Sequence, residues 1–301
     1  MNVADPLIGA VLHDTHRIVG VLGHGGMGTV YEAAHVRLPR QRFAIKVLHE
    51  AMVESGSYYD RFRREAEVVS GIGHRNIIGV VDFYHTDHGQ PCIVMEFLDG
   101  EDLGRRLRRV GKLRVRQALR VVEQVADALQ ALHAVGVVHR DVKPGNIFLV
   151  NEGGQERVVV LDFGVSKLLH HGGQMDLTGE FDLVGTPQFM SPEQINEEEV
   201  VDHQTDIFAL GTITYLLLSG HLPFDESSLA GVIYKICNGE PAPLSSHVPL
   251  LPSDVERVVH RALSKDKLMR YQRVTDFVAD LSHSLELGWG VNTDNSAEVA
   301  V

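Results

Sequence analysis

A chain of 301 residues with 44% hydrophobic and 23% charged residues has the composition of an ordinary folded protein, either one large domain or two lobes. A formal net charge of -12 argues against a general nucleic-acid binder. Two cysteines, Cys92 and Cys237, lie outside any C-x-x-C or Cys/His cluster, which excludes a disulfide framework and makes them reduced core residues. Seventeen histidines include His170 and His171 beside two glycines, without further ligands at zinc spacing.

Residues 1–20 lack a basic region followed by an apolar core, so no signal peptide is evident. The alternating segment 17–22 ends in Gly23-His24-Gly25-Gly26-Met27-Gly28 and continues as Thr29-Val30-Tyr31. That pattern suits a glycine-rich hairpin tip whose N–H groups approach phosphates; a dinucleotide fold would instead open a helix here, and no Walker motif is present. Segment 43–48 is a strand interrupted by Lys46, which alone reads as an edge lysine pointing to water. Residues 58–70 have helical spacing and carry Glu65 and Glu67. Residues 74–81 and 92–97 read as two further strands around a turn at Asp87-His88-Gly89, which makes five short strands and one helix.

From Leu103 the periodicity becomes helical, with Leu119, Val122, Val125, Ala126, Leu129 and Leu132 on one face up to Gly136. Arg105, Arg106, Arg108, Arg109, Lys112, Arg114, Arg116 and Arg120 form a basic block; Glu193, Glu197, Glu198, Glu199 and Asp202 form an acidic one. Each reads as a solvated face or, more sharply, as a docking surface for an oppositely charged partner.

The stretch His139-Arg140-Asp141-Val142-Lys143-Pro144-Gly145-Asn146 gathers an acid, two cations and an amide on a loop. Asp141 can accept a proton from an attacking hydroxyl, Lys143 can neutralise a transferring phosphoryl group, and Asn146 can offer an oxygen to a metal ion. Residues 147–149 form a short strand, and the apolar run 158–161 delivers Asp162-Phe163-Gly164 at a strand end. A long aperiodic loop follows up to Gly185-Thr186-Pro187 and Ser191-Pro192-Glu193. The apolar stretch 207–218 is too short for the ~20 residues of a membrane span and reads as a buried helix opened by Asp206, a cap in the simplest view.

With these motifs in view the chain resembles the eukaryotic-type (Hanks-type) serine/threonine protein kinases, in their bacterial branch, over roughly residues 15–285. The resemblance implies an α+β, bilobal protein kinase fold: a small, mainly antiparallel β lobe with helix C over 15–97 and a larger, mainly helical lobe over 98–287. Residues 1–14 would be a leader and 288–301 a polar tail. It implies ATP and Mg2+, with Mn2+ possible, and transfer to protein Ser/Thr hydroxyls. Catalytic roles fall to Asp141, Lys143, Lys46 held by Glu65, Asn146 and Asp162, the last two holding the metal.

Nucleotide binding falls by the same resemblance to Leu22, Gly23, Gly25, Gly26, Gly28, Val30, Ala44, Met95, Glu96, Leu98 and Phe148, with Asp102 at the ribose. Glu67 is then solvent-facing, Asp206 anchors the catalytic loop, and Arg270 pairs with Glu193. Arg140 would grip a phosphate on the activation loop, with Thr178 the acceptor, Glu180 where relatives often carry a second threonine, and Thr186 near Asp141 and Lys143. Bacterial relatives often continue into a membrane helix, so either a cytoplasmic kinase or a catalytic fragment is expected. Self-association for trans-autophosphorylation is expected; nucleic-acid binding and a membrane span are not.

Overall fold

The computed structural model describes residues 5–26, 28–49, 56–162, 187–196 and 200–289, without the side chains of 56–61, 65, 288 and 289. The chain divides into two compact units, one within Met1–Gly100 and Val150–Val184, the other within Glu101–Leu149 and Gly185–Val301.

The first unit is an antiparallel sheet of β1 (Val11–Leu12), β2 (His16–His24), β3 (Gly28–His35), β4 (Arg42–Leu48), β5 (Val80–His85) and β6 (Pro91–Glu96), in the spatial order β1-β2-β3-β4-β6-β5. Period-two alternation divides its side chains. Tyr31, Ala33, Ile45, Val47, Cys92 and Val94 enter one core with Leu12, Ile18 and Tyr84. Leu48 and Ile93 point the other way, against Phe62 and Ala66 of α1 (Gly56–Ser70). Lys46 stands directly opposite Val30 on β3 and Ile93 on β6, so it shares this second face. Burial pushes the Cys92 thiol up to about 12, so this cysteine is an inert core residue.

The strand expected over 74–81 is shorter and lies at Val80–His85. Asn76, Ile77 and Ile78 instead embrace Val160 at the end of β9 (Gln155–Val160), through a parallel bridge and two backbone hydrogen bonds. Apolar residues in this stretch therefore reflect burial against one strand end, not a ladder.

In the second unit, β7 (Gly100–Asp102) leads into α2 (Leu103–Val110) and α3 (Val115–Ala134), and β8 (Ile147–Glu152) carries the chain back to the first unit. Beyond the long loop come the short α4 (Pro192–Ile195), α5 (Gln204–Ser219), α6 (Leu229–Asn238), α7 (Ser253–Ala262) and α8 (Val274–Trp289). Val122, Val125, Ala126, Leu129 and Leu132 of α3 are buried, as their spacing predicts. Helix α5 is buried almost all round, which explains its lack of an amphipathic pattern. At Gly211 an added Cβ would approach the Ala262 Cβ to 2.9 Å, so α5 and α7 meet where α5 has no side chain. Among the described residues no helix is long and apolar enough to cross a membrane.

Candidate active site

The stretch 139–146 is held from below by one buried carboxylate. Asp206 sits in the first turn of α5 at 0% exposure, and its oxygens accept the backbone N–H groups of His139 (2.9 Å) and Arg140 (2.8 Å). His133 Nε2 lies 2.8 Å from the same carboxylate. The acid therefore anchors the loop, and the plain helix-cap reading does not describe it. Gln194 on α4 donates to the Arg140 carbonyl at 2.7 Å, so both the N–H and the C=O of Arg140 are fixed from elsewhere in the chain. This grip accounts for a φ of 64° at Arg140, a left-handed conformation that a non-glycine residue holds only when its surroundings impose it.

On that support the three chemical groups converge. Lys143 Nζ donates to Asp141 Oδ2 at 2.8 Å, and Asn146 Nδ2 donates to the Asp141 carbonyl (2.9 Å) and to Oδ2 (3.0 Å). The Asp141 N–H donates to His139 Nδ1 at 3.2 Å, which leaves the proton of the buried neutral imidazole on Nε2. Asp141 and Lys143 keep about a fifth of their side-chain surface exposed, at 20% and 23%. The result is a fixed carboxylate, reachable from solvent, with a cation and an amide on one of its oxygens.

A second constellation lies wholly within the first unit. Lys46 Nζ donates to Asp162 Oδ1 at 2.6 Å, with the lysine side chain 15% and the aspartate 50% exposed. Asp162 has φ 45°, again in the left-handed region. Strand β9, which delivers it, is fixed by buried Asn76, whose Nδ2 donates to the Val158 carbonyl at 2.7 Å while its own carbonyl accepts the Val160 N–H. Alternation places Ala44 and Met95, cross-strand partners of each other, on the same sheet face as Val30 and Lys46. Leu22 is exposed, and its neighbour Val21 packs into the opposite core. Gly23 lies within β2 opposite Val30, and Gly25 and Gly26 belong to the hairpin tip, closed by the Gly25 N–H on the Gly28 carbonyl at 2.9 Å. Gly28 is required by packing as well: a Cβ there would stand 2.3 Å from the Val47 carbonyl oxygen.

The remaining expected residues are placed as follows. The Glu96 N–H donates to the Gly79 carbonyl, and its carboxylate accepts from the Gly79 N–H and lies 3.3 Å from Arg157. Leu98 and Phe148 are half-buried. Asp102 caps α2 by accepting the Arg105 N–H at 2.8 Å, while its rival Glu101 is taken up by Arg106 and Arg109. Glu67 is exposed and pairs with Arg63. The Glu65 side chain, Met27, Phe163, Gly164, His170, His171, Thr178, Glu180, Thr186 and the tail from 290 lie outside the described residues.

Glu193 is not part of the solvated acidic face that its neighbours suggest. It is buried at 1% exposure in a two-pronged pair with Arg270 (2.7 and 2.9 Å), and Thr205 donates to it as well. Burial alone would raise its pKa; the Arg270 guanidinium outweighs that and holds the carboxyl below the usual range. Sequence reading missed Asn76, His133 and Gln194, whose polar side chains act on backbone far away in the chain and leave no local pattern.

A family model for the protein kinase domain matches residues 16–281. The chain belongs to the protein kinase family. It is 42% identical over 279 residues to the serine/threonine-protein kinase Pkn1 of Myxococcus xanthus, covering 92% of this chain and 39% of that one. Against the serine/threonine-protein kinase PknB of Mycobacterium tuberculosis the identity is 35% over 273 residues, covering 90% of this chain and 43% of the relative. The chain thus spans less than half the length of these two relatives. Among solved structures it is similar to the Mycobacterium tuberculosis PknI kinase domain, with a TM-score of 0.71, 29% identity and coverage of 92% of this chain and 98% of that one. The protein kinase fold, an antiparallel sheet lobe with a helical lobe, follows from both comparisons.

Proposed function

We propose that this chain transfers the γ-phosphoryl group of ATP to serine or threonine hydroxyls of protein substrates. The observation that carries the reading is Asp141, fixed by its own loop, with Lys143 and Asn146 on its Oδ2. The acceptor oxygen attacks the γ-phosphorus, its proton goes to Asp141, and the bond from phosphorus to the β,γ-bridging oxygen breaks to release ADP. Lys143 stabilises charge on the transferring group. Lys46 contacts the α- and β-phosphates and Glu65 steadies it, the amides of Gly23, Gly25, Gly26 and Gly28 cover the phosphates, and the backbone of Glu96 and Leu98 binds adenine. Leu22, Val30, Ala44, Met95 and Phe148 line the base, and Asp102 takes the ribose.

The donor chemistry fits magnesium, with manganese as an alternative. Asn146 uses its amide N–H groups on Asp141, which leaves Oδ1 as a hard oxygen donor, and Asp162 supplies a half-exposed carboxylate. When bound, the ion neutralises phosphate charge.

The same reading includes control by a phosphate on the activation loop, placed on Thr178 by a second copy of the chain. Arg140 supports it: its buried Nε has no hydrogen-bond partner among the described residues, and burial pulls the guanidinium below its usual range against the pull of Asp206. The test is phosphate incorporation from labelled ATP with magnesium, with and without a generic protein acceptor. Asp141→Asn is expected to lose about 10²- to 10⁴-fold in turnover while nucleotide still binds; equal loss of both would mark Asp141 as structural. Full activity in Thr178→Ala, with no phosphate on the loop, would overturn the regulatory part.

A further inference from the structure

The four arginines of α2 do not share one environment. Glu101 accepts from Arg106 and Arg109, and those bonds, Arg106 first, hold its carboxyl below the usual range. Asp102 accepts the Arg105 N–H and lies 3.3 Å from Arg105 Nε. Arg108, exposed on the same helix, has no carboxylate partner among the described residues. For Arg106 and Arg109 a solvated, locally neutralised helix face is a sufficient account. It is not sufficient for Arg108.

Position makes the difference useful. Gly104 has three near neighbours: a Cβ there would meet Asp102 Oδ1 at 3.1 Å, the Arg108 guanidinium at 3.4 Å and Pro144 Cβ at 3.7 Å. Asp102, Arg108 and the catalytic-loop proline therefore flank one side-chain-free position, and Pro144 opens the turn that ends at Asn146. Within this turn nothing offsets the charge. Gly145 has no side chain and open space around its Cβ position, and Asp141 is already compensated by Lys143. In a chain of net charge -12, a cation beside the catalytic loop that forms no direct ion pair among the described residues, with Asp102 Oδ1 facing it only across Gly104, is a local reversal of sign.

We infer that α2 is a specificity surface, with Arg108 as its main determinant and Arg105 one turn before it. It selects protein substrates that carry aspartate or glutamate within a few positions of the acceptor hydroxyl. The inference rests on the phosphoryl-transfer reading, and its test separates the two.

Three peptides that share one acceptor serine and differ only in flanking glutamate, alanine or lysine are assayed for kcat and KM, and for binding by fluorescence anisotropy. The glutamate peptide is expected to have the lowest KM, rising with added salt. Arg108→Glu is expected to raise that KM about five- to tenfold at unchanged kcat and to lower it for the lysine peptide, with Arg108→Gln in between. Equal KM for all three peptides in the unaltered chain would overturn the specificity surface and leave the transfer reading standing. So would a drop in kcat on every peptide in Arg108→Glu, which marks a structural role. If no peptide is phosphorylated yet Arg108→Glu weakens anisotropy-detected binding of the glutamate peptide alone, the surface stands and the transfer reading falls.

Discussion

The catalytic loop and the Lys46 to Asp162 pair show two ways of presenting charge. Around Asp141 every group is held by something else: Asp206 and Gln194 fix the backbone, His139 takes the Asp141 N–H, and Lys143 and Asn146 bond the carboxylate. Lys46 and Asp162 bond each other, and half of the aspartate is open to solvent. On the proposed reading the loop orients a hydroxyl and gains from being over-determined, because reorganisation at the moment of transfer costs rate. On the proposed reading Lys46 and Asp162 are to engage phosphates and a cation, so they must instead exchange partners, and the half-exposed aspartate leaves that exchange open to solvent.

The comparison can be broken at its foundation first. Arg270 is the most buried ion-paired cation among the described residues, and Arg270→Met leaves the buried Glu193 without its charged partner; a loss of about 3–5 kcal/mol is expected in urea unfolding. Adding Glu193→Leu is expected to restore part of it, because a buried pair replaced by packed apolar groups is often nearly neutral. No recovery in the double variant would mean that the pair's value lies in its hydrogen bonds to Thr205 and to the 264 and 265 carbonyls.

Asp206→Asn sharpens the contrast at a smaller scale. The amide keeps acceptor capacity for one oxygen and loses the charge-assisted bonds to His139 and Arg140, so a loss of about 1.5–3 kcal/mol is expected, together with a fall in kcat at little changed nucleotide KM. A larger effect on nucleotide binding than on kcat would show that the loop is not what Asp206 fixes.

The smallest expected effect lies far from either constellation and concerns pH. His16 is buried beneath the sheet edge, its Nδ1 3.1 Å from the Tyr84 hydroxyl, and its pKa is lowered by burial first, then by His35 and His13, with Asp82 opposing. A folded pKa below the unfolded one means that the unfolded chain binds more protons. Stability from this group is complete above the ordinary imidazole value of about 6.5 and is lost as pH falls through the folded value. Glu193 obeys the same sign in the carboxylate range, being complete above about 4.3 and lost below. Melting temperature is therefore expected to fall in two stages on acidification, and His16→Gln should remove the first. A single stage in the unaltered chain would assign the depression elsewhere.

Much of this was legible in the sequence because the chemistry is local. His139 to Asn146 fit within one loop, and the strand bearing Lys46 is an apolar run broken by a single lysine, so residue type and spacing sufficed. What stayed illegible acts at a distance. Nothing about Asn76 announces that it fixes strand β9, nor about Gln194 that it bonds the Arg140 carbonyl, since neither has a periodic partner. The basic block shows the same limit: spacing revealed the arginines of α2, but only the fold shows that Glu101 and Asp102 form ion pairs with three of them and not with Arg108.

The division of labour between the two constellations is tested most directly by measuring ATP affinity calorimetrically with magnesium, beside single-turnover transfer, for Lys46→Met and Asp141→Asn in parallel. Unequal effects are predicted: Lys46→Met loses nucleotide affinity as well as transfer, whereas Asp141→Asn binds ATP like the unaltered chain and fails at transfer alone. Two variants with the same profile would contradict the account, because the over-determined loop and the exchangeable pair would then be serving one step.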